Sequence, residues 1–174
     1  YGDNRFGRSC LVARRLVEAG VGCVTVPWTF KQSEQNFDTH SKHFPKMKEK
    51  LLPVIDRAMA ALLDDLTDRG LLDSTVVAWT GEFGRTPKIN GGGGRDHWGR
   101  VYSTVLAGSG IKGGQVIGRS TKDGGLPADD AVHVTDYFAT IYHALGYTSA
   151  DSVKDITGRP HHFVQGRPVL KLLG

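Results

Sequence analysis

Three short segments of the sequence combine carboxylates with imidazole or guanidinium groups. They are Phe37-Asp38-Thr39-His40, Gly81-Glu82-Phe83-Gly84-Arg85-Thr86-Pro87 and Gly91-Gly92-Gly93-Gly94-Arg95-Asp96-His97-Trp98. Carboxylate oxygen together with imidazole nitrogen suits zinc, manganese or iron better than metals that prefer sulfur ligands. The sequence therefore predicts a divalent-metal site, with zinc as the first choice and manganese, iron or calcium as alternatives. The predicted ligands are Asp38, His40, Glu82, Asp96 and His97.

A metal site of this kind could act on an anionic ester. Two metal ions a few ångströms apart polarise a phosphoryl or sulfuryl group and stabilise both the attacking and the leaving oxygen. Arg85 lies three residues after Glu82, and a planar guanidinium group binds an anionic oxygen through two N–H groups. We therefore predict Arg85 as the catalytic residue that orients the anion. The predicted substrate is a phosphate or sulfate ester of a small molecule or a polysaccharide.

Three of these assignments have a competing interpretation. Asp38 could cap a helix that follows it, as Asp often does. Glu82 could form a plain ion pair with Arg85. His43 could replace His40 as a ligand because it lies three residues further along the chain.

The remaining histidines lie outside the three segments. His133 is interpreted either as a distal ligand or as a surface residue. His143 falls within a predicted helix, where a packing role is the expectation, and His161 and His162 are expected to be solvated.

The sequence contains no recognisable nucleophile motif. A sulfatase activated by cysteine oxidation has Cys or Ser followed two residues later by Pro and four residues later by Arg. Cys10 lacks that proline and Cys23 lacks that arginine. A Gly-x-Ser-x-Gly turn is absent, and the glycine run 91–94 lacks the Lys-Ser/Thr ending of a P-loop. We expect the nucleophile on a segment that precedes this chain, so that the chain alone would be inactive.

The elements that must position the three segments follow from the apolar pattern. Helical spacing predicts helices over 8–19, 44–69 and 135–145, each followed by a glycine that ends it. Continuous apolar runs over 21–26, 75–80 and 101–107 predict strands covered on both faces. The alternation predicts an α/β fold with a largely parallel sheet flanked by helices. In such folds ligands collect at the carboxyl ends of the strands, from which the polar segments lead. The tail over 151–174 is expected to be irregular.

Composition narrows the class of protein. The chain has 174 residues, of which 39% are hydrophobic and 23% charged, as in one globular domain. The net charge of +4 comes from scattered basic residues, so a nucleic-acid surface is not expected. The sequence shows no basic-then-apolar leader, so no signal peptide is predicted. It also shows no apolar stretch near 18 residues, so no membrane span is predicted. Cys10 and Cys23 are too few for a disulfide framework and are predicted to be buried.

Taken in order, these segments and several others resemble one protein family. The other matching segments share the order and spacing that the family shows: Phe6-Gly7-Arg8-Ser9-Cys10-Leu11-Val12-Ala13-Arg14-Arg15-Leu16-Val17-Glu18-Ala19-Gly20-Val21, Ala61-Leu62-Leu63-Asp64-Asp65-Leu66, Leu106-Ala107-Gly108, Ile111-Lys112-Gly113-Gly114-Gln115-Val116-Ile117-Gly118 and Ala139-Thr140-Ile141-Tyr142-His143-Ala144-Leu145-Gly146. The chain resembles the bacterial "domain of unknown function 1501", a sulfatase-like family of the alkaline phosphatase superfamily.

The resemblance implies more than the residues alone do. It implies an alkaline phosphatase-like fold that is incomplete at its N-terminus, with residues 1–174 as the C-terminal portion of one domain. It places Glu82 where relatives have the Asp of an Asp-His pair, and His97 at a later metal-binding His. Phe83 departs from that pattern because it replaces the paired His and cannot bind metal. Relatives often carry an export signal, which implies a periplasmic or secreted location.

Three functional hypotheses follow. The first is a metal-dependent hydrolase of phosphate or sulfate esters. The second, favoured by Phe83, is a non-catalytic module that binds an anion or a carbohydrate on a degenerate version of the fold. The third is a purely structural domain.

Overall fold

The computed structural model describes residues 1–28 and 36–174. The first part of the polar stretch between the predicted strand 21–26 and Asp38 lies outside these residues. The described residues form two compact units. The first unit contains Tyr1–Leu72 and Phe83–Gly99, and the second contains Asp73–Glu82 and Arg100–Gly174.

The first unit is mainly helical. Helix α1 spans Arg5–Glu18, and a short turn α2 at His43–Pro45 continues through a π-helical stretch, Lys46–Leu51, into α3 at Leu52–Asp68. A two-stranded hairpin, β2 (Gly84–Arg85) with β3 (His97–Trp98), completes the unit.

The second unit contains one long helix and three small sheets. Strand β1 is Val77–Trp79, β4 is Val105–Ala107, β5 is Arg119–Ser120, and β6 is Pro127–Asp129. Helix α4 spans Val134–Ala144, and β7 (Ser152–Lys154) and β8 (Pro160–His162) follow it. Single turns of 3₁₀-helix lie at Leu72–Ser74 and Leu170–Leu172.

Local capping sets the limits of the first helix. The side chain of Asn4 accepts a hydrogen bond from the Gly7 N–H at 2.8 Å and so begins α1. Gly20 follows the end of α1 with a φ of +89°, which a glycine adopts without strain. The predicted helix over 8–19 is therefore confirmed, with a start three residues earlier.

Helices α1 and α3 pack against each other and bury one stripe from each. The buried residues of α1 are Gly7, Cys10, Ala13 and Arg14, and those of α3 are Ile55, Ala58 and Leu66. Ala13 and Arg14 are adjacent, the other gaps are three or eight residues, and at 3.6 residues per turn each set lies on one helix face. Pro53 lies in the first turn of α3, directly after the π-helical stretch, where it has no N–H to donate to a carbonyl of the preceding turn. The predicted helix over 44–69 is confirmed, with π-helical geometry in its first part.

A charged network joins the ends of α1 and α3. The Asp65 carboxylate accepts hydrogen bonds from Tyr1 Oη at 2.7 Å, Arg14 Nε at 2.8 Å and Arg69 Nε at 2.6 Å. Only 6% of the Arg14 side chain is exposed, and its guanidinium also pairs with Glu18. These bonds, that from Tyr1 foremost, lower the pKa of Asp65 to about 2, and burial raises the pKa of Tyr1 to about 12.

The predicted sheet is wrong in direction. The described strands form four two-stranded sheets, β1 with β4, β2 with β3, β5 with β6 and β7 with β8, and every pair is antiparallel. A parallel pair needs a long crossover connection, usually a helix. No helix lies between Trp79 and Val105, so the second strand returns antiparallel to the first. The fold is therefore not a largely parallel sheet flanked by helices.

The first predicted strand also fails to form. Residues 21–26 belong to no strand, and Cys23 is exposed although it was expected to be buried. Cys10 is buried, as expected. An apolar run indicates only that its residues can be buried. A strand also needs a neighbouring strand with which to form backbone hydrogen bonds.

Helix α4 and the tail show smaller differences from expectation. Helix α4 begins one residue before the predicted 135, because His133 caps it by accepting a hydrogen bond from the Thr135 N–H. The tail is not irregular throughout, since β7 and β8 form a hairpin. The Thr140 hydroxyl, which is fully buried, accepts a hydrogen bond from the Val169 N–H at 2.9 Å and ties the last residues to α4. No helix among the described residues is both long and apolar enough to cross a bilayer.

A candidate metal centre

Two loops of the first unit dock backbone to backbone. The Lys42 and His43 N–H groups donate to the carbonyl oxygens of Gly92 and Gly93 at 3.1 and 2.9 Å. In the reverse direction, the Arg95 N–H donates to the carbonyl of Thr39 at 3.0 Å. We refer to residues 38–43 as the acidic loop and to residues 90–96 as the glycine loop.

The close approach of the two loops explains a glycine in the run 91–94. A Cβ atom at Gly94 would lie 2.0 Å from the His40 carbonyl oxygen, a distance that no side chain tolerates. At Gly91, by contrast, a Cβ atom would meet nothing within 4 Å. Gly94 is therefore needed because a neighbouring backbone lies against it.

Asn90 connects the two loops through its side chain. Its Oδ1 accepts hydrogen bonds from the N–H groups of Gly92 and Gly94 at 3.0 and 2.9 Å. Its Nδ2 donates to the carbonyl of His40 and to Oδ1 of Asp96, both at 3.0 Å. One amide group therefore fixes the turn of the glycine loop and its distance from the acidic loop.

The hairpin β2–β3 brings two further side chains to the acidic loop. Arg85 and His97 are directly opposite each other in its register, so their side chains leave the hairpin on the same face. Arg85 Nη2 donates to Asp38 Oδ1 at 2.7 Å, and His97 Nε2 lies 2.9 Å from the same oxygen. Both residues therefore reach Asp38.

Three potential ligand atoms converge at this point. Asp38 Oδ1 lies 3.0 Å from His40 Nε2 and 2.9 Å from His97 Nε2, and the two imidazole nitrogens are 3.1 Å apart. In the part of the chain that the structure describes, this is the one group of three or more Asp, Glu, His or Cys residues with ligand atoms so close together. We call Asp38, His40 and His97 the ligand triad.

The chemistry of the triad fits a divalent cation. Two ligand atoms bound tetrahedrally to zinc at its usual distances are about 3.3 Å apart, close to the separations seen here. Two imidazoles and one carboxylate also form the facial set that binds iron and related metals with open positions. About half of each triad side chain is exposed, 46–52%, which leaves the group open to solvent on one side.

Asp96 lies behind His40 rather than within the triad. Its Oδ1 is 2.8 Å from Nδ1 of His40, the ring nitrogen that does not face the triad. That bond from His40, followed by the one from Asn90, lowers the pKa of Asp96. An ionised carboxylate only accepts hydrogen bonds, so in this contact the Nδ1–H of His40 donates to Asp96, and Nε2 is the ring nitrogen left for a metal.

Arg85 serves as the ionic partner of Asp38. The hydrogen bond from His97 and then that from Arg85 lower the pKa of Asp38 to about 2, so the carboxylate is ionised at neutral pH. Arg85 Nη1 also donates to the carbonyl of Arg95 at 3.3 Å. The guanidinium is thereby held at the edge of the triad with 20% of its side chain exposed.

Phe83 contacts two members of the site. Its ring centroid lies 4.3 Å from that of His97, and the Arg85 guanidinium carbon lies 5.9 Å from it. Phe83 therefore packs against a triad imidazole and supplies no ligand atom. The resemblance places a metal-binding His at this position, so the described site lacks that ligand.

The remaining predicted residues have other surroundings. Glu82 belongs to the second unit and is exposed, whereas the whole triad belongs to the first; its role as a ligand stays a prediction. His43 is turned to Thr39, with Nδ1 2.7 Å from the hydroxyl, and burial lowers its pKa. Asp38 caps no helix, because Lys42 occupies the cap position of α2.

Sequence reasoning missed the contribution of Asn90. An Asn followed by Gly, as at 90–91, is a recognised turn signal, and that signal indicates the turn. It does not indicate the side-chain bonds to Asp96, six positions along the chain, and to His40, 50 positions away.

The comparison with known families agrees with the motif resemblance. The model of a family described as "Protein of unknown function (DUF1501)" matches residues 1–173. No curated protein and no solved structure matches the chain. Because the match extends over almost all of the 174 residues, the chain belongs to the DUF1501 family of proteins of unknown function.

Proposed function

We propose that this chain supplies the metal-binding loops of a metal-dependent hydrolase of phosphate or sulfate esters. The observation that carries the proposal is the convergence of Asp38 Oδ1, His40 Nε2 and His97 Nε2 within 2.9–3.1 Å of one another. One carboxylate and two imidazoles form a ligand set common in metal-dependent hydrolases.

The triad would hold the metal, and the surrounding residues would keep its ligand atoms in place. A bound divalent metal supplies positive charge that polarises a phosphoryl or sulfuryl oxygen. Asp38 contributes an ionised oxygen, since its pKa of about 2 keeps it deprotonated at neutral pH. His40 contributes Nε2, while its other ring nitrogen, Nδ1, is held by Asp96 at 2.8 Å.

Arg85 is suited to bind the anionic part of the ester. Among the described residues, its Nη1 and Nη2 atoms each make one hydrogen bond, to Arg95 and Asp38. A guanidinium group has five N–H donors, so Arg85 keeps donors for an ester oxygen while its position is fixed. The exposed side of the triad gives such an ester access.

Motif order supports the finer placement among sulfatase-like proteins of the alkaline phosphatase superfamily. The segments around the triad and Arg85 follow one another as in that superfamily's metal-binding half. The strands of the described residues pair only antiparallel, so the support for this placement is side-chain geometry and not a parallel sheet. We further propose zinc as the first metal to test, with manganese, iron and calcium as alternatives.

A second function is favoured by Phe83. An aromatic ring in contact with His97, where the resemblance expects a ligand, would leave a site with one metal and no second one to support the leaving oxygen. Such a site could bind an anion or a carbohydrate without turnover. Turnover measurements separate the two functions.

The test combines metal analysis with an ester panel. The protein, in the longest form in which it is naturally made, is loaded with each metal, and metal content is measured by mass spectrometry beside hydrolysis of aryl sulfates and aryl phosphates. We expect bound metal and metal-dependent turnover, both lost in His97→Ala. Absence of bound metal would refute the proposal, as would turnover that His97→Ala leaves unchanged. Bound metal with no turnover would favour the binding module.

A further inference from the structure

We propose that Asp96 and Asn90 are positioning residues, not ligands, which together fix the ring orientation and tautomer of His40 so that its Nε2 lone pair faces the metal position. The inference rests on the metal-binding part of the proposed function. It also changes the sequence-based prediction that Asp96 binds the metal directly.

The placement of Asp96 supports this role. The two nitrogens of an imidazole ring point in divergent directions, and Asp96 contacts Nδ1 at 2.8 Å while the triad contacts Nε2. Its Oδ1 already accepts hydrogen bonds from His40 and from Asn90. A carboxylate that accepts the far N–H of a ligand histidine sets its tautomer and increases its basicity, and removing such a partner commonly weakens metal binding 10- to 100-fold.

Asn90 holds Asp96 and His40 at the correct separation. Its Nδ2 donates to Asp96 Oδ1 and to the main-chain carbonyl of His40, both at 3.0 Å. The same amide therefore contacts the backbone of the ligand residue and the carboxylate that orients its ring. Its Oδ1 is satisfied by the N–H groups of Gly92 and Gly94, so the amide cannot turn over without losing these bonds.

Hydrogen bonds of its main chain hold Asp96 in place. The Asp96 N–H donates to Thr86 Oγ1 at 3.1 Å, and the Thr86 N–H donates to the Asp96 carbonyl at 2.9 Å. Asp96 is thus held by the segment that follows β2 on one side and by Asn90 on the other. A chain of hydrogen bonds runs from the glycine loop through Asn90 and Asp96 to Nδ1 of His40.

The first measurement needs no metal. Nitrogen-15 NMR of the metal-free protein reports which nitrogen of His40 carries the proton. We expect Nδ1 of His40, which faces Asp96, to carry a proton in the wild type and to be protonated in a smaller fraction of the molecules in Asp96→Ala. If Asp96→Ala does not fold, Asp96→Asn, which keeps the shape of the side chain, replaces it; there we expect a weaker preference for Nδ1–H. An unchanged tautomer in the folded variant would overturn the role of Asp96.

The second measurement is the dissociation constant for Zn²⁺ and Mn²⁺ by calorimetry. We expect binding weaker by about 10- to 100-fold in Asp96→Ala and in Asn90→Asp. Asn90→Asp keeps an acceptor for Gly92 and Gly94 but replaces the donor to Asp96 with an oxygen that repels it. Asn4→Asp is the matched control, because it makes the same change in the same unit at a helix cap, and its affinity should equal that of the wild type.

Three results of the affinity measurements would contradict the roles of these residues or the proposed function. Loss of binding in Asp96→Ala as complete as in His97→Ala would make Asp96 a ligand and overturn the inference. Equal affinities for Asn90→Asp and Asn4→Asp would overturn the role of Asn90. A wild type that binds no metal would refute the proposed function, and the tautomer measurement would then decide alone whether Asp96 orients His40.

Discussion

Asp38 and Asp65 are two carboxylates of the first unit with the same depressed pKa, about 2, and different surroundings. Each is held by three partners. Asp65 is bonded by Tyr1, Arg14 and Arg69 at the junction of α1 and α3. The partners of Asp38 are His97, His40 and Arg85, where two loops and a hairpin meet.

The two carboxylates differ in whether their partners can give up a proton and bind a cation instead. Arginine and tyrosine are fixed donors at neutral pH, so the three partners of Asp65 offer no lone pair with which to bind a cation beside it. Imidazole nitrogens are donors or lone-pair ligands depending on tautomer, so the partners of Asp38 can turn from hydrogen-bonding to binding a cation. About half of the Asp38 side chain is exposed, 51%, against 21% for Asp65. A depressed pKa therefore does not by itself identify a functional carboxylate.

The largest expected effect comes from removing one imidazole partner of Asp38. His40→Ala should weaken Zn²⁺ binding at least about 100-fold, the upper range seen when only an outer partner is lost. Calorimetric titration measures the effect. His161→Ala is the control, because His161 pairs with Asp155 at 2.9 Å but lies in no group of three. Comparable losses in the two variants would show that the triad is not the metal site.

A bulkier residue in the glycine loop should disturb the docking of the two loops. Gly94→Ala places a methyl group 2.0 Å from the His40 carbonyl, and overpacking of this kind costs about 1–3 kcal/mol. We expect a lower free energy of unfolding in urea and weaker metal binding. Gly91→Ala, in open space, should leave both quantities close to wild type. Equal behaviour of the two variants would contradict the docking of the loops.

Neutralising each carboxylate in turn should give opposite results. Asp65→Asn leaves the buried Arg14 with one charged partner fewer, so we expect the free energy of unfolding to fall by about 1–3 kcal/mol at pH 7 with metal affinity unchanged. Asp38→Asn should weaken metal binding and change the free energy of unfolding of the metal-free protein less. Urea unfolding measures the free energy of unfolding, and calorimetry measures metal affinity. If Asp65→Asn weakened metal binding while Asp38→Asn mainly lowered the free energy of unfolding, the roles of the two carboxylates would be reversed.

The smallest effect is a pH dependence. The pKa of Asp65 falls from an ordinary 3.8 to about 2 in the folded protein, so the unfolded chain takes up the proton first as the pH decreases. The stabilisation by Asp65 is therefore complete above about pH 5 and lost as the pH falls through 4 toward 2. The stability difference between wild type and Asp65→Asn should shrink across that window. A constant difference from pH 6 to pH 2 would show that Asp65 is not held as described.

Prediction from sequence succeeded where interactions are local. Helix α1 follows from its apolar spacing and from the glycine that ends it, and the long helix ending at Asp68 follows in the same way. The wrong predictions concern the strands. The runs 75–80 and 101–107 contain real strands, but their antiparallel direction depends on the connection between them, and 21–26 has no strand partner.

The sequence predicted which residue types make up the candidate site better than it predicted where each side chain lies. The structure brings together three of the five proposed ligands, Asp38, His40 and His97. It places Asp96 on the opposite ring nitrogen of His40, and it places Glu82 in the other unit. Side-chain type indicates what a residue can bind, but it does not indicate which nitrogen of an imidazole it will meet.

By itself, the sequence determined which side chains can bind a cation and where the long helices begin and end, because composition, periodicity and capping act over a few residues. Only the tertiary structure decided which ligands converge. Backbone hydrogen bonds between loops some fifty residues apart, and the close approach that requires a glycine at position 94, bring His40 to Asp96 and His97. Such contacts depend on the packing of the whole unit, which no short segment specifies.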